Sequence, residues 1–308
     1  MIFLFLLYFL FASTYALGKA GLFYMQPFFF VAARMLLGGT ILLVWQYIFN
    51  RTQWRLEKRD IISLAAIALF LIYIAFIAEF WSLQYISAAK ACLLYNMSPF
   101  ITALFSYLIF KTHLSRKQWI GLWIGFLGFI PILLNQGQLE GLTYHMFFLS
   151  MPECMLLIAV ASSCYGWLIM RYLLIDRLYS PIMVNGCAML LGGFMALATS
   201  FLIEGKPKIT LNLMPAFWSP MQYSLMLSIV YVVVLVVIAN VICFNLYSVL
   251  LHRYTPTFIA FAGFTTPIFA AFFDLIFFKT PIPVAFYLTL LIVLIGMYLF
   301  YQDELKVL

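Results

Sequence analysis

Charge is what this chain has least of. Charged residues make up 9% of its 308 positions, against 66% hydrophobic ones. A soluble domain carries about 25% charged residues. Seventeen basic and ten acidic side chains are too few to cover a globule of this length, and its interior is too small for so much apolar surface. The shortage excludes a soluble enzyme, a disordered chain and a secreted disulfide scaffold, and makes lipid the natural solvent. Cysteines are few as well, and none forms a CxxC pair. Cys92, Cys154, Cys164, Cys187 and Cys243 lie inside apolar runs, which reads as small core hydrophobes with neither disulfide nor metal. The three histidines, His113, His145 and His252, fall between those runs. HExxH, GxSxG, paired intramembrane aspartates and an ATP-binding P-loop are all missing. No nucleophile–base pair, metal or cofactor is implied.

What the chain has instead is long apolar runs. A membrane-spanning helix takes about 20 residues, and ten spans are expected: 2–17, 27–49, 61–84, 88–110, 117–134, 152–173, 181–203, 223–251, 256–278 and 283–301. The runs are continuous, whereas β-barrel strands would alternate polar with apolar. Pro27, Pro152, Pro181, Pro256 and Pro283 sit near expected helix starts, where a missing N–H costs little. The apolar N-terminus lacks a basic n-region and is read as a retained first helix.

Placing the N-terminus inside puts eleven Lys/Arg in cytoplasmic positions (Arg51, Arg55, Lys58, Arg59, Lys111, Arg116, Lys117, Arg171, Arg177, Arg253, Lys306) and five outside (Lys19, Lys90, Lys206, Lys208, Lys279). That bias predicts an inner-membrane protein with both termini cytoplasmic and the 135–150 loop outside. The net charge of +7 then belongs to loops and calls for no nucleic-acid partner.

The chain also repeats itself. Residues 27–39, PFFFVAARMLLGG, align with 181–193, PIMVNGCAMLLGG, at an offset of 154. Residues 98–115 align with 266–283 at an offset of 168, matching Pro99 to Pro267 and Phe110-Lys111-Thr112 to Phe278-Lys279-Thr280, and Gly128 continues the register to Gly296. Each unit, 1–140 and 150–308, holds five helices. An odd number sends the second unit into the membrane from the opposite side. The expected fold class is therefore all-α integral membrane, ten transmembrane helices in two inverted five-helix repeats. Such repeats pack in two near-equivalent ways, one opening a central site outward and the other inward.

These features resemble the drug/metabolite transporter superfamily of the EamA type: ten helices in a 5+5 repeat, Pro in the fourth and ninth, and Gly121, Gly125 and Gly128. Arg34 in the second helix and Cys164-Tyr165-Gly166-Trp167 in the sixth add to the likeness, which covers essentially the whole chain. One departure is visible. Where that family often carries Gly-Glu-Arg, this chain has Lys111-Thr112-His113 and Lys279-Thr280-Pro281. The resemblance implies a secondary carrier with no cofactor.

A charge at membrane depth costs at least ~2.5 kcal/mol, so each demands a partner or an aqueous cavity. Arg34 lies about 10 Å below the outer end of the second helix and Glu79 about 8 Å below that of the third. Equal depth fits either a structural ion pair or two charges facing a zwitterionic solute. Lys90, Glu153 and Asp274, nearer the outer boundary, are expected to snorkel or to line a vestibule.

Helical spacing supplies the rest of a candidate substrate lining. Phe76 joins Glu79 on one face of the third helix. Asn240, Phe244 and Tyr247 share a face of the eighth, and Tyr95 and Asn96 flank Pro99 in the fourth. Tyr15, facing the same way as Tyr8, and Trp167 complete it. The small-residue surfaces Gly38-Gly39, Gly192-Gly193 and Gly121xxxGly125 fit either internal packing or a homodimer seam.

The expected function is secondary active transport of a small organic metabolite by alternating access. The 19% aromatic content suits planar rings and cations held on π faces. Glu79 suits a positive group and Arg34 a carboxylate. Among substrates of the carriers it resembles, S-adenosylmethionine combines adenine, sulfonium, amine and carboxylate, and an amino acid shares part of that inventory. The alternatives are an intramembrane enzyme, for which no catalytic pair is found, and a channel, for which no filter motif is found.

Overall fold

The computed structural model describes residues 2–51, 54, 56–110, 115–134, 145–146, 149–205, 224–254, 259, 263–279 and 282–301. Pro256, Arg55, Lys111-Thr112-His113, Thr280-Pro281, Lys206, Lys208, Lys306 and residues 135–144 of the expected outer loop lie outside the described residues.

Eight helices are long and apolar enough to cross a membrane: α1 (Ile2–Gly21), α2 (Pro27–Phe49), α3 (Lys58–Leu83), α4 (Ala88–Leu108), α5 (Arg116–Leu134), α6 (Met151–Ile175), α7 (Pro181–Glu204) and α8 (Ile229–Leu250). Two shorter apolar helices, α9 (Thr266–Phe278) and α10 (Val284–Tyr301), occupy the remaining expected places. A two-residue hairpin, His145–Met146 against Leu149–Ser150, precedes α6. The helices are apolar on both faces, as lipid requires. In α1, Leu4, Leu7 and Ala12 are buried while Ile2, Phe3 and Phe5 stay exposed.

The two halves meet as inverted equivalents. A Cβ on Gly39 of α2 would lie 2.9 Å from the backbone of Gly186 and of Leu190 in α7. A Cβ on Gly193 of α7 would lie 3.1 Å from the backbone nitrogen of Leu36 in α2. The chain thus needs glycine at both places for these backbones to touch. From Leu36 to Gly39 along α2, the facing α7 residue runs backward from Gly193 to Leu190, so the two helices are antiparallel. The operator relating them is therefore perpendicular to their length, which in a bilayer is the membrane plane. The same relation recurs elsewhere. Gly38 packs on Asn240 while Gly192 packs on Ile72. Stretches of wide π-helical turn occupy Ala68–Ile74 in α3 and Val236–Cys243 in α8, beginning 168 positions apart. The glycine surfaces are consumed inside the chain: Gly121 meets Gly296 and Phe300, and Gly125 meets Phe100.

Proline sets the break in α4. The helix stops at Tyr95 and restarts at Ser98, because Pro99 removes a donor and clashes with a continuing turn. Pro267 lies at the start of the helical stretch Thr266–Phe278 in the same way; the expected start of the ninth span at 256 lies outside the described residues.

The charges expected to snorkel do not. At the end of the bundle where α3 meets α4, Lys90 pairs with Glu153 at 2.9 Å, with side chains 6% and 0% exposed. Glu153 also accepts the Ser150 N–H and hydroxyl at 2.6 and 2.8 Å. Asp274 is buried and accepts the Ala89 N–H at 2.7 Å at the start of α4, where a helix dipole favours an anion. Glu204, at the end of α7, takes the N–H groups of Phe28 and Phe29 at 2.8 and 3.0 Å. Burial with a partner replaces snorkelling because each group reaches a donor locally. At the opposite end, Arg177 binds Asp60 at 2.9 Å and Glu57 at 2.9 Å, and the Tyr179 hydroxyl donates to Asp60 at 2.8 Å. Asp60 holds the Arg177 guanidinium above its ordinary pKa.

Candidate functional site

Between the halves lies a cavity of about 150 Å³. At about 30 Å³ per water it would hold several, and its charged and polar walls set it apart from an apolar packing defect of like size. Its walls come from α1, α2, α3, α4, α6, α8 and α9.

Tyr15, Arg34, Phe76, Glu79, Tyr95, Asn96, Trp167, Phe244 and Tyr247 all line it. Asn240 does not. Its amide packs against Gly38, with Nδ2 3.0 Å from the Met35 sulfur and 3.6 Å from that of Met189. The reason is local: Asn240 sits within the π-helical stretch Val236–Cys243, where each residue rotates less than in an α-helix. Asn240 therefore falls off the face that ordinary spacing shares with Phe244 and Tyr247.

One side of the cavity is charged. Arg34 is 2% exposed and makes no ion pair with Glu79 among the described residues, so of the two readings of their equal depth the direct pair is not the one formed. Its guanidinium carbon lies 4.5 Å from the Phe76 ring centre and 4.8 Å from that of Phe80. Such contacts are worth about 2 kcal/mol when desolvated and hold the cation while leaving its donors open. The buried Nε has no partner, nor has Nδ2 of Asn96. Glu79 accepts the Tyr95 hydroxyl at 2.9 Å, and the Tyr95 ring meets Tyr15 edge-on at 5.7 Å between centres. The break in α4 is what turns Tyr95 and Asn96 toward this wall.

The other side is aromatic. Trp167 stacks on Tyr247 with centres 4.0 Å apart and planes at 28°. Phe244 lies 5.3 Å from Trp167 and 5.9 Å from Phe76. Gly166 explains how Trp167 gets there. A Cβ on it would lie 2.8 Å from the Leu71 backbone nitrogen, so glycine lets α6 press onto α3. Ser162 donates to the Phe70 carbonyl at 2.6 Å inside the neighbouring π turn, satisfying backbone that lipid could not.

Spacing arguments missed several lining residues: Phe80, Phe11, Thr14, Thr102 and Ser163. Phe80 follows Phe76 by four and Phe11 precedes Tyr15 by four, so extending each face by one turn would have found both. Cys92 and Cys164, read as core, also line the cavity.

The chain matches the model of the EamA-like transporter family over residues 1–134 and 150–302. A Chlamydia muridarum protein named S-adenosylmethionine/S-adenosylhomocysteine transporter is 29% identical over 98% of this chain and 92% of its own. A Chlamydia trachomatis protein of the same name is 28% identical over 98% and 89%. A solved crystal structure superposes with a TM-score of 0.64 at 14% identity, covering 99% of this chain and 96% of its own, and so shares the fold. An inverted helical bundle around a two-sided cavity, matched by this model across both halves, has one assignment: the chain belongs to the EamA-like transporter family and is a multi-pass membrane carrier of a small molecule.

Proposed function

We propose that this carrier exchanges S-adenosylmethionine for S-adenosylhomocysteine. One observation supports this most strongly. Arg34 and Glu79 face one cavity without joining each other, opposite an aromatic wall of Trp167, Phe244 and Tyr247. The amino-acid end of either solute has a carboxylate for Arg34 and an ammonium for Glu79. Tyr95 holds Glu79 in place, Tyr15 packs on the Tyr95 ring, and Asn96 offers its unpartnered amide. The adenine has the aromatic wall to stack on. The Chlamydia relatives carry these two solutes in their name, and the inventory of groups fits both.

The rest of the reading follows. The units 1–140 and 150–308 rock about the α2–α7 seam. Both termini are cytoplasmic in an inner membrane, and neither nucleic acid nor catalysis enters. A lone Gln138→Cys in a cysteine-free background should react with an impermeant maleimide in intact cells. Labelling at position 55 instead would invert the orientation.

The direct test is counterflow in proteoliposomes. Labelled S-adenosylmethionine should accumulate transiently against internal S-adenosylhomocysteine, saturably, with adenosine and methionine alone weak competitors. Counterflow driven by an aromatic amino acid and not by S-adenosylmethionine would transfer the site to amino acids.

A further inference from the structure

The charge inventory of the cavity bears on what drives the exchange. Among the described residues, Glu79 is the single acid lining it and Arg34 the single Lys or Arg. The other acids of the described helices named above are engaged elsewhere: Glu153 with Lys90, Asp274 with the Ala89 N–H, Glu204 with the start of α2 and Asp60 with Arg177. The undescribed stretch 255–258 and 260–262 holds no Asp, Glu, Lys or Arg. Among the described residues the lining therefore carries one charge of each sign.

The two solutes do not match it equally. S-adenosylmethionine has an ammonium, a sulfonium and a carboxylate, net +1. S-adenosylhomocysteine lacks the sulfonium and is net zero. Glu79 neutralises one cationic centre and Arg34 the carboxylate. The second cation of S-adenosylmethionine is left with the rings of Phe244, Trp167 and Tyr247, which attract it through their quadrupoles without adding net charge. The loaded cavity thus differs by one charge between the two halves of the cycle. Resting on the substrate reading above, we infer that each exchange of S-adenosylmethionine for S-adenosylhomocysteine moves one positive charge across the membrane. The membrane potential, negative inside, drives uptake of the methyl donor. One elementary charge in 100 mV is worth about 2.3 kcal/mol, roughly fifty-fold in concentration ratio.

Proteoliposomes loaded with S-adenosylhomocysteine, given labelled S-adenosylmethionine and clamped with potassium and valinomycin, test this. Between 0 and −100 mV the final inside-to-outside ratio of S-adenosylmethionine should rise about fifty-fold at a fixed homocysteine-form gradient. The final label distribution in homoexchange of S-adenosylmethionine should ignore the potential. A pH gradient at zero potential should leave heteroexchange unchanged. Heteroexchange that runs but ignores the potential and follows the pH gradient would overturn the inference, since a proton on Glu79 would then balance the sulfonium. Absence of both hetero- and homoexchange would instead overturn the substrate reading.

Discussion

The two repeats share a scaffold and divide the chemistry. Gly39 and Gly193 make equivalent backbone contacts, and the π turns of α3 and α8 begin 168 residues apart. The same operator carries Arg34 onto Ala188, Glu79 onto Tyr247 and Tyr95 onto Gly263. Every charge in the cavity lining, among the described residues, comes from the first repeat, and the second answers with Trp167, Phe244 and Tyr247. Symmetry serves motion, because alternating access needs two near-equal packings. Asymmetry serves recognition, because a solute with a charged end and a flat end needs two different walls.

Substitutions can break that division in a graded way. Arg34→Met removes the one lining cation. Loss of a buried charge–charge contact of about 3 kcal/mol should weaken S-adenosylmethionine binding roughly a hundredfold, as read by titration calorimetry. On the aromatic side, Trp167→Ala should cost about 1–2 kcal/mol of adenine stacking. That is roughly ten- to thirtyfold, and a competitor lacking the adenine should be indifferent to it. The seam responds differently. Gly39→Leu and Gly193→Leu should each lower stability by about 1–3 kcal/mol through overpacking, equally if the operator holds, and visible as matched falls in melting temperature. Unequal falls would show that the seam is not symmetric. The smallest effect belongs to Asn240→Leu. Its amide faces methionine sulfur and not the cavity, so binding should change less than about twofold.

Much of this was legible in the sequence, for reasons that particular residues make plain. Glycine, proline and charge are costly in lipid-embedded helices, so where they occur they mark structure. MLLGG twice in the same context marked the glycine surfaces that the α2–α7 seam uses, and Pro99 with Pro267 marked two equivalent helix starts. Arg34 and Glu79 by their depth announced either an ion pair or a cavity. What spacing could not show was local hydrogen-bond pattern. The wide turns at Val236–Cys243 look like any apolar helix, and they shifted Asn240 off the expected face. Partner choice was equally hidden. Lys90 and Glu153 are 63 positions apart, and nothing in either segment shows that they pair at 2.9 Å. Likewise, equal depth could not reveal that Arg34 lies on two phenylalanine rings and not against Glu79.

The central claim is that equivalent positions of the two repeats have unequal roles, and Glu79 with its mate Tyr247 tests it most directly. S-adenosylmethionine affinity and melting temperature would be measured on Glu79→Gln and Tyr247→Phe side by side. Glu79→Gln keeps the shape and the Tyr95 hydrogen bond and removes only the charge. It should lose about 1.5–3 kcal/mol of binding, roughly ten- to a hundredfold, with the melting temperature within a few degrees of wild type. Tyr247→Phe keeps the stack on Trp167 and should stay within about threefold of wild type in affinity. Wild-type affinity in Glu79→Gln together with a collapsed melting temperature would contradict the account, making Glu79 a structural counterweight to Arg34 and not a reader of the solute.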